Sequence, residues 1–321
     1  MYKLSTPPHI TSKQTTHKIM RDVIIGLFPA MFAALAVFGF QALLVMVTAV
    51  CSCVLFEYWL GRQFGLGNTT RDFSAIVTGI LLALNLPATM PLWMVIIGAF
   101  MAIGVAKIAF GGIGKNIFNP ALVGRVFLFL SFPVQMTTWI KPRVFEFFSV
   151  DASTAATPLN VLKHLNKEDM LSFDYLDLLM GNIGGSMGET SALAILIGFF
   201  WLLKRKIIKW HIPVYYIGSF ALCMVITQII TGSNRFDVTA HILSGGLMLG
   251  AVFMATDYTT SPMTEKGKII FAVGCGILTY IIRVFGVYPE GVSFAILIMN
   301  AFVPLIDKYC VQYIYGTGGN K

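Results

Sequence analysis

The chain has 321 residues, of which 56% are hydrophobic and only 12% charged, and its mean hydropathy is +0.77. Soluble domains carry about twice that share of charge, so a water-soluble globule is excluded and lipid must solvate much of the surface. The net charge of +8 is no sign of a nucleic-acid partner, because the cations cluster between apolar runs and read as topology signals.

Residues 1–21 are polar, with Pro7, Pro8 and several Lys and His. No small-residue cleavage site follows an apolar core, so they are expected to form a cytoplasmic segment rather than a cleaved signal. Apolar runs then follow at 22–40, 42–60, 73–86, 92–110 and 119–133. After a long polar stretch, 134–189, they resume at 190–203, 212–230, 241–256, 268–286 and 292–306, and 307–321 forms a tail. Several runs reach the roughly 20 residues that a helix needs to cross the hydrocarbon. The runs beginning at 73, 119, 190, 241 and 292 are short for a crossing. A barrel would alternate polar and apolar residues instead. The expected fold is therefore an all-α membrane protein of about ten transmembrane helices.

Charge placement tests that count. With the N terminus inside, 16 of the 23 Lys and Arg fall on the cytoplasmic side, including the Lys204–Lys209 cluster. Shifting the first half by one span would put that cluster outside, against the positive-inside rule. Both termini are thus expected inside and loop 134–189 outside. This loop holds seven acidic residues and ends in Gly181-Asn182-Ile183-Gly184-Gly185-Ser186. Loops of this length are usually functional or disordered.

The loop separates five spans from five, and an odd number per half forces the halves into opposite orientations. Ala83-Leu84-Asn85-Leu86-Pro87-Ala88-Thr89-Met90-Pro91 follows the third span. Ala255-Thr256-Asp257-Tyr258-Thr259-Thr260-Ser261-Pro262 follows the eighth. Each starts with Ala, places Asn or Asp two residues on, and closes with Thr or Ser near Pro. This weak symmetry implies two inverted five-helix repeats, 22–133 and 190–306, with broken helices near the midplane.

Five cysteines, Cys51, Cys53, Cys223, Cys275 and Cys310, lie in or beside apolar runs without a CxxC pair. They read as small buried hydrophobes rather than metal or cluster ligands. In the loop, Asp151-Ala152-Ser153-Thr154-Ala155-Ala156-Thr157-Pro158 reads first as a helix start, capped by Ser153 or Thr154 and ended at Pro158. Glu57, Asn119, Arg125, His241, Asp257, Arg283 and Asn300 are polar within or at the ends of spans, where each needs a partner or a cavity. Glu57, Asp257 and Arg283 also suit span ends. Asn119 and Thr256-Asp257 mark broken entrances. A half-helix N terminus there suits an anionic or carbonyl group, whereas exposed carbonyls with Asp257 suit Na+.

The loop motif resembles the acceptor sequence of the bacterial flavin transferase, which moves FMN from FAD onto a threonine hydroxyl as a phosphoester. The resemblance assigns Asp151, Ser153 and Thr154 to the acceptor motif and Thr157 to the acceptor itself. A threonine hydroxyl is a poor nucleophile without a base or metal, and His164 is the nearest histidine, so a separate transferase is the expected source of the chemistry. Asn119-Pro120-Ala121-Leu122-Val123-Gly124-Arg125, Phe253-Met254-Ala255-Thr256-Asp257 and Asn300-Ala301-Phe302-Val303-Pro304-Leu305-Ile306-Asp307 extend the likeness along the whole chain. Together they resemble the RnfD/NqrB family, membrane components of the Rnf complex and of the sodium-pumping NADH:quinone reductase. The short N-terminal segment favours the Rnf version.

That resemblance implies a urea-transporter-like inverted repeat; Leu86-Pro87-Ala88-Thr89-Met90-Pro91 is similar to a signature of those transporters. It implies an electron-transfer component in the bacterial cytoplasmic membrane, within a complex coupling ferredoxin and NAD to Na+ or H+ movement. It also implies covalent FMN at Thr157, a second, non-covalent riboflavin, and the other Rnf subunits (A, B, C, E and G) as partners. Asn119, Arg125, Thr256 and Asp257 are the candidates for the second flavin. The rivals are a channel for a small solute, as the fold likeness alone would imply, and a component of a quinone reductase.

Overall fold

The computed structural model describes residues 15–66, 69–140, 156–164, 174–286 and 290–310. Helix α1, Thr16–Gln63, runs 48 residues and is broken at Gly39 (φ 62°, ψ −141°), a conformation that a side chain would resist. The break falls one residue before the end of the first predicted span, 22–40. Each arm is about 35 Å long at 1.5 Å per residue, enough to cross a bilayer.

A 3-10 turn, Thr69–Asp72, leads into α2, Ser74–Leu84. The Asp72 carboxylate accepts from the Ser74 backbone N–H at 3.0 Å. Helix α3, Leu92–Phe100, widens into a π turn, Met101–Val105. Helix α4, Pro120–Ser131, opens on Asn119 with proline at its first turn, where no N–H is needed. Short helices α5, Pro133–Met136, α6, Pro158–His164, and α7, Tyr175–Met180, follow.

The second half begins with α8, Ala192–Lys204, and α9, His211–Thr231. A 3-10 turn, Asn234–Phe236, precedes α10, Val238–Leu243, whose cap Asp237 accepts from the Ala240 N–H. Gly245 and Gly246 then take positive φ, and the chain resumes as α11, Leu247–Leu249, and a second π turn, Gly250–Met254. Helices α12, Glu265–Phe285, and α13, Val292–Tyr309, complete it.

Every predicted span holds helix, and no strand element occurs among the described residues. Five of the described helices are long and apolar enough to cross a membrane: α1, the α3 segment to Phe110, α9, α12 and α13. Helices α2, α4 and α8 are apolar but shorter, as their runs foretold. Glycines set the close packing between them, as expected where lipid removes the hydrophobic drive for helix association. A methyl on Gly198 of α8 would collide with the Gly26 carbonyl oxygen of α1. Large apolar side chains such as Phe28, Phe32, Leu222 and Ile230 point outward, forming an exposed apolar surface far beyond that of a soluble monomer.

Candidate functional site

Among the described residues, buried polar side chains gather at two places in the apolar core that hold sequence candidates. The first is a cavity of about 440 Å3 between the start of α1, α2, α4 and the segments at 107–116, 202–208 and 253–259. Three of the sequence candidates, Asn119, Thr256 and Asp257, line it. The fourth, Arg125, is not among its lining residues.

Asn119 is fully committed as a cap. Its Oδ1 accepts from the Ala121 and Leu122 amides at 3.1 and 3.4 Å, and its Nδ2 donates to the Met254 carbonyl at 3.2 Å. The Val123 amide donates to the Asn119 carbonyl. The first turn of α4 therefore presents no unpaired N–H from these residues to a ligand, unlike the open half-helix expected from the sequence. In the orientation its neighbours require, the Asn300 amide donates to the Thr260 carbonyl and accepts from the Asn119 N–H.

Across the cavity, the Thr256 hydroxyl donates to the Val252 carbonyl, and Asp257 Oδ2 accepts from the Thr259 and Thr260 hydroxyls. Burial pushes the Asp257 carboxyl above its ordinary range, against the pull of those hydroxyls. The Tyr258 hydroxyl donates to the Ile207 carbonyl, tying this wall to the turn after α8.

Lys107 also lines the cavity, although near the end of the 92–110 run it read only as a cytoplasmic topology signal. Its ammonium meets Glu57 Oε2 at 2.7 Å and Oε1 at 2.9 Å and donates to Ser74 Oγ at 2.6 Å. Lys107 is 3% and Glu57 0% exposed. The clue lay in Glu57: a carboxylate inside a span needs a cation, and the pairing spans 50 residues of sequence.

The second region centres on Arg125. Its guanidinium donates to Asn85 Oδ1 and Ser293 Oγ, both at 2.9 Å, to Glu189 at 3.5 Å and to Glu290 at closer range. Burial first, and then the Glu189 carboxylate, push the Glu290 carboxyl up to about 7. Nearby, Arg283 donates to the carbonyls of His241, Ser244 and Gly245, satisfying the end of α10 where the helix breaks. Glu189 and Glu290 lie in polar segments away from the predicted span interiors, so periodicity could not flag them.

Thr157 is described and buried, and its Oγ accepts from the Asn160 amide at 3.2 Å as the cap of α6. The helix thus begins at Pro158 rather than ending there, because proline suits a first turn and breaks an interior one. Asp151, Ser153 and Thr154 lie outside the described residues. Helix α6 is seated by Leu162, which packs with Leu178, Ile183 and Ala240, and by Lys163, which donates to the Gly286 carbonyl.

These features define a class: a multi-helix membrane protein with a largely apolar cavity of small-molecule size in its core. Residues 3–316 match the NQR2, RnfD, RnfE family, and the chain belongs to it. It is 42% identical over 99% of its length to the D component of the proton-translocating ferredoxin:NAD(+) oxidoreductase complex of Clostridium ljungdahlii, covering 97% of that protein. It is 44% identical over 98% of its length to the Na(+)-translocating counterpart of Acetobacterium woodii, covering 95%. The D component of the ion-translocating oxidoreductase complex of Stutzerimonas stutzeri is 39% identical, with 95% and 93% covered.

Proposed function

We propose that the chain is a membrane electron-transfer component of an ion-translocating ferredoxin:NAD oxidoreductase complex, working with the other Rnf subunits. In this reading Thr157 carries FMN through a phosphoester, and the 440 Å3 cavity holds a second, non-covalent flavin, riboflavin. One observation carries it: Asn119 and Thr256-Asp257, from opposite halves of the chain, meet at one chamber, and Asn119 bonds the Met254 carbonyl 135 residues away; the chamber's volume lies within the roughly 300–1,000 Å3 of small-molecule sites.

The residues fit such a group. Apolar side chains, among them Leu81, Ile208 and Phe253, supply broad faces for a ring system, while hydroxyls and Asp257 supply polar contacts at its edge. The flavin would supply the redox chemistry. The protein's part is to exclude water, orient the ring and hold Asp257 in reach of it. Thr157 is buried, so transfer of FMN requires a transferase that meets it before α6 is packed.

The inverted repeat belongs to the same reading. Asp72 and Asp237 each lie at a 3-10 turn just before the next helix and accept a backbone N–H from it, from Ser74 and Ala240 respectively. With ten spans and both termini inside, the cavity opens toward the cytoplasm and α6 lies on the outer side of the bacterial inner membrane. The coupling ion is a separate matter, since relatives 42% and 44% identical are named for H+ and Na+ respectively.

A denaturing gel under ultraviolet light tests the core of this proposal. The protein, coexpressed with a flavin transferase, is expected to fluoresce, and Thr157→Ala to be dark. A dark wild-type band removes the redox reading in favour of a flavin-free channel. A bright Thr157→Ala band moves the acceptor elsewhere.

A further inference from the structure

Two devices hold phosphate groups in proteins: a cation with free hydrogen-bonding capacity, and an uncapped helix N terminus. The cavity has one cation among its described lining residues, Lys107. An ammonium has three N–H bonds, and here Glu57 Oε1, Glu57 Oε2 and Ser74 Oγ take them. Ser74 Oγ in turn donates to Asp72 at 2.5 Å, so the arrangement is anchored at both ends. Glu57 is fully buried and is not itself a lining residue. It therefore acts on any occupant only through Lys107. The first turn of α4 is closed as well, its amides held by Asn119. Asp257, the one carboxyl group among the described lining residues, and the Tyr258 hydroxyl, committed to the Ile207 carbonyl, add no positive charge for an anion.

We propose that Glu57 is the specificity-determining residue of this cavity: by occupying Lys107 it denies a phosphate its counter-ion, so the cavity takes an uncharged flavin and rejects the phosphorylated one. This rests on the reading that the cavity holds a non-covalent flavin. It makes the Glu57–Lys107 pair a positioning device, and it separates the two flavins by chemistry. The phosphate-bearing flavin can reside only where its phosphate is esterified, outside the cavity.

The test uses the assembled complex in a Thr157→Ala background, so that every flavin released on denaturation is non-covalent. Chromatography separates riboflavin from FMN. The parent is expected to release riboflavin. Adding Glu57→Gln frees the Lys107 charge, and the FMN-to-riboflavin ratio should rise at least about tenfold, the factor that one charge-assisted hydrogen bond is worth. Adding Lys107→Met as well should return the ratio to that of the parent, which a merely structural role for Glu57 would not do. Breaking a buried ion pair is destabilising, so Ile113→Lys provides a second route. Ile113 is a half-buried loop residue on the cavity wall, and its replacement adds an unpaired cation while leaving Glu57 and Lys107 intact. It too should admit FMN. An unchanged ratio in folded Glu57→Gln complex, or in Ile113→Lys, overturns the assignment. A parent that releases no flavin overturns the reading of the cavity, and this proposal with it.

Discussion

At the scale of single residues, the strongest effects come from charges that the core neutralises. Glu290 is held up to about 7, by burial first and by Glu189 second. A carboxyl whose folded pKa exceeds its unfolded value favours the folded state while protonated. That contribution is whole below the unfolded value of about 4.5, and it fades as pH rises through about 7. The wild-type protein in detergent should therefore lose thermal stability between pH 5 and pH 8. Glu290→Gln should flatten that slope; an equally steep profile in the variant would show that another group governs it. Asn119 acts differently, as a cap. Asn119→Ala should cost about 1 kcal/mol of stability, measured by thermal unfolding, and should lower retention of non-covalent flavin by opening the cavity wall.

At the scale of elements, breaks matter more than helices. Gly245 sits at φ +71°, and a methyl there would collide with Leu159 Cδ1 of α6. Gly245→Val would thus strain the backbone and push α6 from its seat. Limited proteolysis should then cut within 134–189 several-fold faster than in wild type, while helices far from this break, such as α3, stay protected. Uniform cleavage kinetics in both proteins would mean that α6 does not depend on this contact. The apolar windows were legible because hydropathy averages over about 20 residues and tolerates local irregularity. The π turns at Met101–Val105 and Gly250–Met254 were not, since one extra residue per turn leaves composition unchanged. Nor were the partners of Glu57 and Arg125. Those contacts join residues 50, 64 and 165 positions apart, and no local pattern encodes them. Asn119 and Asp257 were found because a polar residue beside Pro or Thr at a span end departs from its apolar surroundings. Arg125 stood out as a charge inside an apolar run but belongs with the carboxylates.

At the scale of the whole molecule, the cavity and the Arg125 cluster are different environments in one apolar body. The first is roomy and mostly apolar, with a few hydroxyls and Asp257 on its wall; the second brings opposed charges into contact. If the covalent flavin is installed from outside and the second flavin binds unaided, expression without a flavin transferase should remove only the gel fluorescence. The flavin released on native-protein denaturation should persist, and its loss along with the covalent one would show that the two sites form together.

Met254 touches both environments. Its carbonyl receives Asn119 at the cavity wall, and its sulfur lies 3.7 Å from the Asn85 amide, whose oxygen orients Arg125. One residue, at the end of a π turn, is thus a shared fulcrum. Its backbone serves one side and its flexible thioether the other, so a substitution at Met254 would disturb both regions at once.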